Sequence, residues 1–413
     1  MNFLDPYGVE FSDFGSTIIR CPKNFKGGYV IPNGVDKIAS DAFMDCAGLT
    51  SIEIPASVND IECYRFDMIA EHSCYLSLVN DETPRPFTRC QDLKTIVVDI
   101  NNEVYDSRDT CNAIIESQTD TLIIGCNNTT IPATVTNIGY CAFMGCTGLN
   151  SIVIPSGVKE ISQRAFYACM GLKSITIPDS VVDIELEAFE RTAWYNDLPD
   201  GVVYAGNVAY KYKGEMAAGT SIKLKEGTVS ISGYAFNNCT GLKSIEIPSS
   251  VRKIGYGAFN GCTNLSSIKL PSSLVQIHAD IFNDTAWYKN QPNGGVFINR
   301  ILLKYKGEMP KCTVIKIKGT ISIARDAFNH CDSLKSIELP SSMEKIGDFA
   351  FYWCDNLKSI ICKAKNPPMF ERNSFLRLDH SIPVYVPKES IEKYKQIKWG
   401  DFNNFKSIEQ ESE

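Results

Sequence analysis

The residues of this chain best able to do chemistry are its 16 cysteines and 4 histidines. The histidines, at positions 72, 278, 330 and 380, have no partner at a metal-binding spacing. The sequence also contains no phosphate loop, no G-x-S-x-G and no H-E-x-x-H. His330 adjoins Cys331 as a thiol–imidazole pair would, but adjacent residues of an extended segment point different ways. Eight cysteines (Cys46, Cys90, Cys146, Cys169, Cys239, Cys262, Cys331 and Cys354) stand three residues after a phenylalanine. A position that returns on a fixed beat faces the same interior place each time, so these thiols read as small buried hydrophobes. Disulfides between successive turns of the chain stay open, since stacked strands lie about 5 Å apart and disulfide Cα separations begin near there. Cys111 and Cys126 bracket a predicted hairpin, where a disulfide and two free thiols both fit. No metal, no cofactor and no catalytic activity are expected. A carbohydrate-active alternative would need two carboxylates facing each other beside Trp194 or Trp287.

The cysteines keep time with a longer phrase, I-P-x-x-V-x-x-I-x-x-x-A-F-x-x-C-x-x-L-x-S-I-x. Its phenylalanines are 23 residues apart at Phe143, Phe166 and Phe189, again at Phe236, Phe259 and Phe282, and from Phe328 to Phe351. A period of this size means stacked short coils, because one unit cannot bury its own apolar side and a stack can. Within a unit, Leu172, Ile175 and Ile177 have the spacing of a short strand with its apolar side inwards, while Ser174 and Thr176 alternate outwards. Pro178 closes the strand because it cannot donate a further ladder bond. Val158 and Ile161 give a second apolar beat before Ala165 and Phe166, too short for an independent helix, so extended or single-turn helical backbone is expected. Gly139, Gly255 and Gly347 follow that beat and suggest a tight bend. The expected fold is a mostly β solenoid whose strands form one long parallel sheet.

Three interruptions share a design. T-A-W-Y runs open the segments after Phe189 and Phe282, so that Trp194 matches Trp287 and Tyr212 matches Tyr305. The phenylalanines on either side are 47 and 46 residues apart, two coils in place of one. Each interruption carries turn signals and a predicted hairpin. Trp194, Tyr195, Trp287 and Tyr288 either pack these hairpins down or form an aromatic binding patch. The third interruption, between Phe87 and Phe143, holds hairpin arms at Ala113–Glu116 and Thr121–Ile124. A distorted coil is expected from Ile69 to Pro86, after Phe66. The domain reading is an N-terminal cap over 1–30, a solenoid over 31–365 with insertions near 99–130, 190–222 and 283–315, and a C-terminal cap over 366–413. Trp399 and Phe402 would plug that last end.

A net charge of −7 and the absence of a basic stripe argue against nucleic acid. No run approaches 18 apolar residues, so no membrane-spanning helix is expected. The start, Met1 to Pro6, has neither a basic beginning nor an apolar core, so it predicts no signal peptide. Either the protein stays in the cytoplasm or an export segment has been removed. A monomer is expected in solution.

The phrase resembles the BspA-like bacterial leucine-rich repeat family over about Ile31 to Phe402. The segment Y-D-S-R-D-T-C-N-A-I-I at Tyr105–Ile115 and the ending V-Y-V-P-K-E-S-I-E-K-Y at Val384–Tyr394 are similar to recurrent family features. The resemblance implies a curved right-handed leucine-rich repeat superhelix with its sheet on the concave side. It also implies a secreted or surface-anchored protein used in adhesion to host or neighbouring cells, through a protein or glycan ligand, and it carries over no catalytic motif. The candidate ligand residues are the outward strand positions Glu53, Thr176, Glu246, Lys269 and Glu338, beside a row of small hydroxyls that includes Ser174, Ser244, Ser267 and Ser336. A passive spacer presenting another domain is the alternative.

Overall fold

The computed structural model describes residues 2–12, 14–63, 85–274, 277 and 279–408. Phe66, His72, His278 and most of the expected distorted coil lie outside them. The chain forms two compact units, Met1–Val208 and Ala209–Glu413, each a β-solenoid of stacked coils with little helix.

Each regular coil contributes two strands. The longer one follows the leucine, as at Ser151–Val153, Ser174–Thr176, Leu242–Glu246, Ser267–Lys269 and Leu334–Leu339. The second apolar beat is extended, a two-residue strand at Asn137–Ile138, Glu160–Ile161 and Asp183–Ile184 that pairs in parallel from coil to coil. Two parallel ladders therefore run along each stack, and the interior between them holds the phenylalanines. Phe143 and Phe166 stack at 4.8 Å and 11°, Phe236 and Phe259 at 5.4 Å and 9°, Phe351 and Phe375 at 5.6 Å and 2°. Burying each ring is worth roughly 1.5–3 kcal/mol, and an offset ring pair adds about 0.5–1.5 kcal/mol. The carbonyl of the alanine before each ring accepts from the preceding coil's phenylalanine amide: Phe143 N donates to Ala165 O at 2.7 Å and Phe236 N to Ala258 O at 2.8 Å.

The glycines work differently from the expected bend. Gly255 and Gly347 do not adopt left-handed backbone; a Cβ on either would lie 2.4 or 2.5 Å from a backbone nitrogen of the preceding coil. They permit coil-to-coil contact. The left-handed positions bracket the phenylalanine instead. Arg164 and Ala168 flank Phe166 with φ of 56° and 58°, and Tyr234 and Asn238 flank Phe236 with 56° and 58°.

The long ladder is not one continuous sheet. Among the described residues it is cut into separate segments, one holding Thr220–Lys223, Leu242–Glu246 and Ser267–Lys269, another running from Thr313–Lys316 to Phe405–Ser407. Two of the cuts fall where T-A-W-Y replaces the strand, and another separates Thr95–Val98 from Ser151–Val153 at the third interruption. Ala193–Asn196 and Ala286–Lys289 are single-turn helices, so the extended backbone that a ladder needs is interrupted there. Thr192 and Thr285, both fully buried, cap them: each hydroxyl accepts from the tyrosine amide three residues on and donates to the preceding phenylalanine's carbonyl at 2.7 Å.

The interior beat continues through these interruptions. Tyr305 N donates to Ala327 O, the bond that a phenylalanine makes elsewhere, and Tyr212 N does the same to Ala235 O. Tyr305 lies 23 residues after Phe282 and 23 before Phe328, so the double-length unit is two coils with tyrosine in the phenylalanine place. At the third interruption Gly125 holds that place, donating to Ala142 O, because the Phe143 ring fills the space its Cβ would need. There Tyr105–Asp106, Ala113–Glu116 and Thr121–Gly125 form an antiparallel ribbon that Arg108 ties together, bonding Asp106 at 2.6 Å and Asp120 at 2.7 Å. Phe43 stacks directly on Phe87 at 5.1 Å, and Gly48–Ile54 pairs with Thr95–Val98. The stack thus steps from Phe43 to Phe87.

Candidate functional site

The long ladder sets the candidate face. Because inward Ile and Leu side chains alternate with outward ones, parallel register lines the outward residues into rows. In the second unit Ser221, Ser244 and Ser267 form one row, and Lys223, Glu246 and Lys269 form the next. Glu246 lies 2.8 Å from Lys269 and 4.0 Å from Lys223. Lys269 holds the Glu246 carboxyl below its ordinary range, and Glu246 raises the Lys269 ammonium in return. Glu338 is likewise held between Lys363 at 2.6 Å and Lys316 at 3.4 Å, which lower its carboxyl. The serines also bond along the row: Ser244 donates to Ser221 at 2.8 Å, and Ser336 and Ser359 are 2.8 Å apart.

The candidate residues therefore differ in circumstance. Glu246 and Lys269 come together as partners. Glu338 is clasped by two lysines, with only 17% of its side chain exposed. Glu53 is exposed in the first unit, in register with Val30 and Val97, which are 62% and 44% exposed. Thr176 is exposed beside Val153. Lys223, Lys316 and Lys363 were not among the expected site residues. Lys223 and Lys316 sit in S-I-K-L and V-I-K-I, strands that lack the leucine three places earlier, and that missing anchor hid them.

Trp194 and Trp287 are half-buried and lie edge-on to Phe189 and Phe282, each at 5.1 Å. Their amides donate to Leu172 O and Leu265 O at 2.7 and 2.8 Å, which seats each short helix on the strand below. Tyr195 and Tyr288 are half-buried as well. Lys306 lies 5.4 Å from the Tyr288 ring centre and donates to the carbonyls of Tyr288 and Lys289, closing the helix C-terminus. On the short-ladder side nearby, Asp280 is taken up by Lys304 and by Asn283, and Asp326 by Arg325 and Asn329. Burial pushes Asp326 up to about 6, against the opposing pull of the Arg325 charge.

The ladder thiols are free. Cys169 donates to Phe143 O at 2.9 Å, Cys262 to Phe236 O at 3.0 Å and Cys354 to Phe328 O at 3.1 Å. Cys111 and Cys126 are also separate thiols, directed at the carbonyls of Ala113 and Asn112. Among the described residues no group of three His, Cys, Asp or Glu side chains is placed to hold a metal ion, and no helix is long and apolar enough to cross a membrane.

A family model for the BspA-type leucine-rich repeat region, with 6 copies, matches residues 24–119, 123–213, 206–291 and 306–411. Among solved structures, the chain is similar to a leucine-rich repeat protein from Eubacterium ventriosum, with 18% identity and a TM-score of 0.27, over 85% of this chain and 64% of that one. It thus spans just under two thirds of that protein's length. A leucine-rich cell surface protein from Faecalibacterium prausnitzii matches at 22% identity and TM-score 0.28, over 91% and 96% of the two chains. A leucine-rich repeat protein from Bacteroides ovatus matches at 20% identity and TM-score 0.29, over 99% and 97%. No curated protein matches the sequence.

Proposed function

The chain belongs to the BspA-type leucine-rich repeat family, and on that premise we propose that it is a non-catalytic binding or adhesion module, secreted or held at a cell surface. Its ligand is a protein or glycan of a host or neighbouring cell, and its working surface is the outward face of the long ladder. One observation carries this reading. Within ladder segments, parallel register collects outward Ser, Lys and Glu side chains into rows that the core does not use, most fully from Thr220–Lys223 to Ser267–Lys269. Many weak, aligned polar contacts suit an extended ligand laid along the stack.

The test is a screen of extracellular-matrix proteins and arrayed glycans with the purified chain and a charge-reversed variant, Glu246→Lys, Lys269→Glu, Glu338→Lys. Saturable binding that falls about tenfold or more in the variant is the expected outcome. Undiminished binding would move the site to the Trp194 and Trp287 segments. Absence of binding at micromolar concentration would favour a passive spacer.

A further inference from the structure

We propose that the outward face of the segment formed by Thr220–Lys223, Leu242–Glu246 and Ser267–Lys269 binds a linear acidic polysaccharide, one bearing carboxylate or sulfate groups along its length. This rests on the reading of the outward ladder as the working surface and names the ligand class for one part of it.

The two registered rows of this segment present Ser221, Ser244 and Ser267 beside Lys223, Glu246 and Lys269. Neither row contains an apolar or aromatic side chain. A protein partner needs a desolvated apolar or aromatic centre, and a single-stranded nucleic acid needs stacking platforms. This surface offers hydroxyls and charge. Lys243, also exposed, brings the lysines to three against two glutamates, Glu246 and the exposed Glu226 that lies 4.0 Å from Lys223, on a chain whose net charge is −7. The positive excess is local.

Spacing favours a polymer. Adjacent strands are about 4.8 Å apart, so Lys223 and Lys269, two strands apart, repeat at roughly 10 Å. Successive rings of an extended polysaccharide advance by a distance similar to one strand spacing. Such a chain laid along the stack can set an anionic group near each lysine and its hydroxyls near the serines. Lys223 and Lys269 keep 64% and 74% of their side chains exposed while sharing Glu246. Glu246 is thus a built-in counter-charge with which the ligand's anions compete.

Binding is measured on the whole chain with polygalacturonate and dextran sulfate, with uncharged dextran and poly-glutamate as comparators. At least one acidic polysaccharide should bind saturably and well above both comparators, and weaken about tenfold or more between roughly 0.1 and 1 M NaCl as screening shortens. Lys223→Ala, Lys243→Ala, Lys269→Ala combined should lower affinity by about tenfold or more. The same charge loss at Lys311, Lys388 and Lys395 should leave it unchanged. Glu246→Gln should tighten binding roughly threefold, because it frees Lys269 and leaves Lys223 with Glu226 alone. All these positions are exposed or half-exposed, so circular dichroism should show every variant folded. Poly-glutamate binding as tightly as the polysaccharides, equal loss in both triple variants, or no change with Glu246→Gln would overturn the inference. If neither polysaccharide binds while a matrix protein does, and charge reversal abolishes that binding, the inference fails and the broader adhesion reading stands.

Discussion

At the residue scale, the ladder cysteine joins smallness to a weak donor. Each thiol of the set Cys169, Cys262 and Cys354 fills the gap beside a phenylalanine ring and bonds the carbonyl of the previous coil's phenylalanine. Burial pushes Cys169 and Cys262 up to about 12. In alkylation at pH 8 followed by mass spectrometry, exposed Cys312 should react at once, and Cys169 and Cys262 only after unfolding. Cys169→Ala removes both the packing and the bond, and should cost about 1–2 kcal/mol in urea unfolding. The cysteine beat identified this place as interior. It did not reveal the donor role, because the accepting carbonyl belongs to a coil 26 residues away.

At the element scale, the turn around each phenylalanine depends on two left-handed residues that need not be glycine. Ala168, half-buried with φ of 58°, bears a steric cost that a glycine would not. Ala168→Gly should therefore raise stability by about 0.5–1 kcal/mol, read as an increase in Tm. Gly261 already occupies the equivalent place with φ of 72°. The short T-A-W-Y helices act in the opposite sense to the strands. Their buried threonine caps end a sheet segment, leaving the Lys223–Glu246–Lys269 strip with a defined edge. The match between Trp194 and Trp287 was legible from the sequence. That each pair sits where a strand would have been was not, since a run of four residues has no periodicity to read.

At the scale of the molecule, a stack shares its stability between neighbours. Phe259 lies between Phe236 and Phe282, 5.4 Å from each. Phe259→Ala should cost about 3–5 kcal/mol, with hydrogen-exchange protection lost first in the two adjoining coils. The sequence by itself determined the solenoid, its period and the identity of its inward residues. An apolar position returning every 23 residues can be buried only by another copy of itself, so pattern and fold are one fact. The tertiary structure alone decided that tyrosine carries the beat through the double-length coils, that the ladder is cut into segments, and that Glu246 and Glu338 are each held between lysines. Those outcomes depend on which residues of different coils fall into register. Register is a relation between distant parts of the chain, which no local spacing records.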